Sequence, residues 1–146
     1  MKCILFIDGT NLYAGQYALF GPDQFLDFSE FINRIEKKLD VTFKRIYVYA
    51  SYSSHNPKPT KKQQAYLKNE SLFYKNVRKT DRVVFFKGYR SQTSGKEKEV
   101  DVKLAADMVH LAHLDEFDDM YLMTGDADFL QALFLIRTLH KKIHLV

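Results

Sequence analysis

Apolar and polar positions along this chain follow two alternating periods. Residues 2–8, KCILFID, are a short apolar run that ends on a carboxylate, the pattern of a buried strand. Residues 28–39, FSEFINRIEKKL, place Phe28, Phe31, Ile32, Ile35 and Leu39 on one face of an amphipathic helix. KRIYVYASY (44–52) reads as a second strand, and SSHNPKP (53–59) as a loop punctuated by two prolines. TKKQQAYLKNESLFYKN (60–76) is a basic helix and DRVVFFKGY (81–89) a third strand. RSQTSGKEK (90–98) is polar and reads as a loop. EVDVKLAADMVHLAHL (99–114) has helical spacing, DMYLMTGD (119–126) is a fourth strand, ADFLQALFLIRTLHK (127–141) a helix, and KIHLV (142–146) a fifth strand. Strands alternating with helices predict an α/β fold: a mainly parallel central sheet of about five strands between two helical layers. No internal repeat or low-complexity tract divides the chain, so residues 1–146 are read as a single domain.

Composition changes the picture little, and charge changes it more. The chain is 46% hydrophobic and 27% charged, and no apolar run approaches the ~20 residues needed to cross a bilayer. The N-terminal run is short, lacks a small-residue cleavage site and stops at Asp8, so it is read as a core strand and the protein as cytoplasmic. A single cysteine, Cys3, excludes an intrachain disulfide and a cysteine metal cluster. The chain stops inside an apolar run with no polar tail, which leaves room for a further C-terminal segment. Between Lys58 and Lys98 lie 12 Lys or Arg against three acids, so a net charge of +4 for the whole leaves −5 elsewhere. A basic stretch of this kind is either a solvated face or a track for a polyanion.

The carboxylates have a pattern of their own. Asp8 ends the first strand in FIDGTNLY. Turn chemistry accounts for an Asp followed by Gly, and Thr10 can cap a following helix. The fourth strand also ends in acids, Asp126 and Asp128 of TGDAD. Capping explains one of these but not both. In parallel α/β sheets, sites form at the carboxyl ends of strands where the strand order reverses. Neighbouring first and fourth strands would therefore bring three carboxylates to one rim. Asp101 lies four residues before Ala105 and seven before Met108, on the apolar stripe of its helix with Leu104, Leu111 and Ala112. A carboxylate at a buried edge costs several kcal/mol unless paired or bound to a cation, although a helix N-terminus also favours an acid. Asp107 has Lys103 four residues before it, and a salt bridge accounts for it.

Asp8 with Asn11 in FIDGTNLY, Asp101 in KEKEVDVKLAADM, and Asp126 with Asp128 in MTGDADF together resemble the NYN domain of the PIN-like nuclease superfamily, in its LabA-like branch. That family's pattern is a strand ending D-x-x-N, a helix opened by K-x-V-D with a further Asp, and [ST]-G-D-x-D-F. The match runs through nearly the whole chain in the same order. It implies a PIN-like three-layer sandwich, an acidic metal-binding cluster and ribonuclease activity. Asp8, Asp101, Asp126 and Asp128 match acidic positions, while Asn11 and Asp107 match polar positions whose role is less defined. Lys98 matches the lysine of the second motif, but Glu99 stands where the family commonly has Gly.

Oxygen ligands suit Mg²⁺ or Mn²⁺, which a few carboxylates and a substrate phosphate can hold. Asp8 and Asp126 are the expected direct ligands, Asp101 and Asp128 ligands or water-orienting groups, and Asn11 an orienting group. Lys61, Lys62, Lys68, Arg90, Lys96 and Lys98 are the expected phosphate contacts. Tyr47, Tyr49, Tyr66, Tyr74 and Tyr89 are candidate stacking surfaces, with core packing the commoner role for aromatics. The function expected is a divalent-metal-dependent endoribonuclease acting on single-stranded RNA, with nucleic acid as partner, homo-oligomerisation allowed and no membrane. The alternative is a metal-binding nucleic-acid or regulatory module that does not cleave. A haloacid-dehalogenase-type phosphatase needs a nucleophilic Asp two residues before Asp8, where Phe6 stands. A dinucleotide-binding fold needs G-x-G-x-x-G in the first turn, which reads DGTN.

Overall fold

The computed structural model describes residues 1–53, 57–89, 98–124 and 129–146. Its elements in chain order are β1 (Cys3–Asp8), α1 (Gly9–Phe20), α2 (Phe28–Leu39), β2 (Arg45–Tyr52), α3 (Lys61–Lys79), β3 (Val83–Tyr89), α4 (Lys98–His113), β4 (Asp119–Met123), α5 (Leu130–Thr138) and β5 (Lys142–Leu145). The five strands form one sheet in the order β3-β2-β1-β4-β5, and every neighbouring pair is parallel. The chain builds outward from β1 through β2 to β3, then returns to place β4 on the other side of β1. The order therefore reverses between β1 and β4, and all carboxyl ends share one rim.

Burial on both sides explains the unbroken apolar run of β1. Cys3, Leu5 and Ile7 pack with Tyr13, Phe28, Ile32 and Phe73 on the face covered by α1, α2 and α3. Ile4 and Phe6 pack with Leu104, Met108, Phe117 and Ile136 on the face of α4 and α5. Cys3 is a buried free thiol whose pKa burial pushes up. No helix of the described residues is long and apolar enough to cross a membrane.

Helices with a clear stripe begin and end close to the expected positions. In α2, Phe28 and Ile32 are fully buried, Phe31 and Ile35 partly so, and Leu39 is exposed at the end. The start of α3 is set by a capping box, in which Thr60 Oγ1 accepts from Gln63 N at 3.1 Å and Gln63 Oε1 from Thr60 N at 2.8 Å. Two expectations change. α1 is a helix for which the pattern carried no stripe: its buried residues are Gly9, Tyr13 and Gln16, while Leu19 is 81% exposed. Its N-cap is Asp8 and not Thr10, whose hydroxyl accepts from Ser51 N of β2 instead. Toward the other end of the chain, β4 ends at Met123, before Thr124, rather than at 126, and α5 (Leu130–Thr138) ends at 138 rather than 141; the expected start of that helix at 127 lies outside the described residues.

Below the sheet's opposite edge, a half-buried ion pair locks α2 to the strands. Both terminal guanidinium nitrogens of Arg82 donate to Glu36, at 3.0 and 3.1 Å, and Phe43 N donates to Glu36 Oε2 at 2.7 Å. Burial pushes the Glu36 carboxyl up, but the bonds from Arg82 and Phe43 and the Arg82 charge together hold it below its ordinary 4.5. A carboxyl lowered in the folded state stabilises above its unfolded pKa, and that stability is lost as pH falls through the folded value. Glu36→Gln should cost about 2 kcal/mol at neutral pH. The gap to wild type should begin to narrow as pH falls through the ordinary 4.5 and close only below the lowered folded value, where the wild-type carboxyl protonates too. Urea melts of both proteins across pH check this; a gap independent of pH would refute the assignment.

Candidate active site

Asp8 is the last residue of β1 and only 5% exposed. Alternation along the strand turns it to the α4 side, with Ile4 and Phe6. Its Oδ1 accepts from Asn11 N at 3.3 Å, and its Oδ2 from Asn11 Nδ2 at 2.9 Å. Across the reversal of strand order, Thr124 follows the end of β4, and its hydroxyl donates to Asp8 Oδ2 at 3.2 Å. The two strand ends are thus joined through the Asp8 carboxylate, at the kind of crevice where open α/β sheets hold their ligands.

Asp101 lies in the first turn of α4 and is half-buried. That turn stands at the same rim, because Val100 packs onto Gly88 near the end of β3. A Cβ on Gly88 would lie 2.4 Å from Val100 Cγ2. Asp107, nearly two turns further along, holds Lys103 Nζ at 3.0 Å and the Tyr49 hydroxyl at 2.7 Å. The expected salt bridge is present. Burial, with the Asp107 contact added, drives the Tyr49 phenol far above its ordinary pKa.

Asp126 and Asp128 lie outside the described residues, as do Arg90 and Lys96. Among the described residues no group of three or more His, Cys, Asp or Glu is placed to hold a metal ion. The side chains that do meet at the rim offer Asp8 carboxylate, Asn11 amide and Thr124 hydroxyl groups. This oxygen chemistry, without thiol or imidazole, fits a hard divalent cation. Ser51, near the end of β2 on the same side of the sheet as Tyr49, adds a buried hydroxyl with no hydrogen-bond partner among the described residues. Neither Thr124 nor Ser51 was expected as a site residue. Thr124 had a signal, since it opens the quoted [ST]-G-D motif, whereas nothing local marked Ser51.

The basic helix α3 sits on the other face of the sheet from the Asp8 side chain. Lys61 and Lys62 are exposed in its first turn, toward the rim, and Lys68 is exposed lower down. Lys98 opens α4. Of the candidate stacking tyrosines, Tyr49 and Tyr74 are fully buried core, Tyr47 stacks on Phe6 at 5.3 Å, and Tyr66 is half-buried. Tyr89 ends β3.

The sequence profile of the NYN domain matches residues 2–146. No curated protein matches the chain. A crystal structure of a protein of unknown function from Vibrio parahaemolyticus is similar in fold, with a TM-score of 0.57 at 16% identity, covering 99% of this chain and 79% of that one.

Proposed function

The chain belongs to the NYN-domain family, and on that premise we propose that it is a divalent-metal-dependent nuclease that hydrolyses single-stranded RNA. The observation that carries this reading is the Asp8 carboxylate, buried at the end of β1 and bonded to Thr124 across the reversal of strand order. PIN-like nuclease domains generally use divalent metals. Asp8, Asp101, Asp126 and Asp128 are the proposed ligands for Mg²⁺ or Mn²⁺. When bound, the ion supplies Lewis-acid polarisation of the phosphodiester and charge stabilisation for the leaving oxygen. Asn11 fixes the Asp8 carboxylate through its backbone and side-chain amides. Thr124 holds the same carboxylate from the β4 side. Lys61, Lys62 and Lys68, with Arg90, Lys96 and Lys98, bind backbone phosphates.

Labelled single-stranded RNA and DNA, incubated with Mn²⁺, Mg²⁺ or EDTA, test the reading beside Asp126→Asn. RNA cleavage with either metal, lost in EDTA and in the variant, is expected. Cleavage undiminished in excess EDTA would overturn it, and metal-dependent binding without cleavage would identify a non-cleaving module. Replacing Lys61, Lys62 and Lys68 together with Ala should weaken binding to all sequences. It should also flatten the slope of log affinity against log salt by about 2, at ~0.7 per lost phosphate contact on a single strand. An unchanged slope would return these lysines to a solvated face.

A further inference from the structure

On the face of the sheet away from the Asp8 side chain, a groove of about 600 Å³ opens where the first turns of α3 meet α1 and the segment after β2. Tyr17, Pro22, Ser53, Lys62, Tyr66 and Leu67 are among its lining residues. None of them belongs to the carboxylate site.

Its walls are pinned from behind. The rings of Tyr17 and Tyr66 meet edge to face at 4.7 Å, and Tyr13 meets Tyr66 at 5.1 Å. The Tyr13 hydroxyl donates to Tyr66 O at 2.8 Å. Pro22 is held through its carbonyl, which accepts from Asn69 Nδ2 at 3.2 Å. Ser53 is anchored to buried Glu70, its N–H donating to Oε1 at 3.0 Å and its hydroxyl to Oε2 at 2.7 Å. Walls ordered in advance lose little conformational freedom when a ligand enters.

The chemistry selects the occupant. Aromatic, proline and leucine walls accept a flat apolar face. The Ser53 oxygen and the Gln63 amide, also lining the groove, offer polar edges. Lys62 at the mouth is exposed, with Lys61 beside it on α3, so the apolar slot opens beneath a cationic lip. A planar heterocycle carrying an anionic group matches all three features, and a volume of this size accommodates a nucleotide. The groove also adjoins the end of β2, the strand next to β1, whose carboxyl end carries Asp8.

We propose that this groove is a nucleobase subsite, in which one unstacked base of a single-stranded nucleic acid lies against the wall formed by Tyr17, Tyr66 and Leu67 while Lys62 takes its phosphate. The inference rests on the nuclease reading for its substrate class and deepens it: a base held in a stacked duplex cannot enter, so the site selects single strands. Binding at the groove is nonetheless separable from cleavage.

The test is binding in EDTA, where no cleavage confuses it. Adenosine and uridine monophosphates are titrated into isotope-labelled protein, with ribose 5-phosphate and inorganic phosphate as controls. Both nucleotides should shift the amides of Tyr17, Ser53 and Lys62 through Leu67, and the controls should move at most the vicinity of Lys62. Leu67→Glu, confirmed folded by its melting temperature, should weaken binding of a short single-stranded RNA by roughly tenfold or more, a loss in the range of one base–aromatic stack. Leu67→Met should retain binding. Groove amides that stay still with nucleotide, or move equally with ribose 5-phosphate, would overturn the proposal. So would a dimer that Leu67→Glu dissociates, which would assign the groove to a second copy of the chain. Groove binding in a protein that never cleaves would leave the subsite standing and remove the nuclease reading; cleavage with a silent groove would do the reverse.

Discussion

Asp8→Asn should lower metal-dependent cleavage of single-stranded RNA by more than about a hundredfold and leave the protein folded. Groups that merely orient a metal ligand typically contribute 10- to 100-fold, so loss of a direct ligand should exceed that range. The fold should survive because Asp8 has a second role that asparagine can fill. It is the N-cap of α1, accepting from Asn11 N, and asparagine caps as well as aspartate. Two bonds must change. Asp8 Oδ2 accepts from both Asn11 Nδ2 and Thr124 Oγ1, and asparagine presents an N–H₂ on one side. Thr124 can rotate its hydroxyl to accept, and exposed Asn11 can turn its amide to present the oxygen, so the expected stability loss is about 1 kcal/mol or less. Asp8→Ala removes the cap as well and should melt lower still. Millimolar Mn²⁺ should raise the melting temperature of wild type through linkage to the folded state and leave Asp8→Asn almost unmoved. Initial rates and melts with Mn²⁺ or EDTA decide the matter. A variant that cleaves as well as wild type would remove Asp8 from the chemistry.

Two glycine-to-alanine changes in α1 should have opposite signs. At Gly9, directly after Asp8, a Cβ would lie 2.8 Å from Val48 Cγ1, 3.1 Å from Ala50 Cβ and 3.1 Å from the Tyr49 carbonyl. Two of these contacts are to β-branched or backbone atoms of β2, a strand paired on both sides by β1 and β3, which have little room to yield. Overpacking of this kind costs about 1–3 kcal/mol, and the immobility of β2 places Gly9→Ala toward the upper end. At ~2–4 °C per kcal/mol, the melting temperature should fall by roughly 5–10 °C. Activity should fall further than stability, because the first turn of α1 carries the bonds that aim the Asp8 carboxylate. Gly15 is exposed in the same helix and meets nothing within 4 Å. Gly15→Ala should therefore stabilise by about 0.5–1 kcal/mol, the ordinary helix-interior difference. Equal effects of the two changes would contradict the close seating of α1 on β2.

The contrast within α1 also shows where local pattern runs out. α2 carries a broad apolar stripe, and its observed bounds, Phe28–Leu39, coincide with the expected 28–39. α1 fully buries only a glycine, one tyrosine and one glutamine, with Leu12 and Tyr17 half-buried against the core and Leu19 facing solvent. Periodic hydrophobicity cannot signal a helix that docks this way. Its real marker was Asp8, read first as the end of a strand. Similarly, Asp107 showed its i−4 partner Lys103 in the sequence, but the bond from Tyr49 joins residues 58 positions apart and left no local trace. The basic character of α3 was legible from composition. Its position across the sheet from the Asp8 side chain was not, nor was the loss of Tyr49 and Tyr74 to the core.

By itself the sequence determined the alternation of strand and helix, the carboxylate at the end of β1, and the half-buried place of Asp101 on its helix. These are properties of short windows, where a side chain's direction follows from a period of 2 or 3.6. Only the tertiary structure decided that β1 and β4 are neighbours, that Thr124 reaches Asp8, and that a tyrosine-walled groove stands beside the basic turn of α3. Strand order is a choice among pairings remote in sequence. It is settled when the crossover after β3 carries α4 to the opposite face, where Ile4 and Phe6 still need a cover.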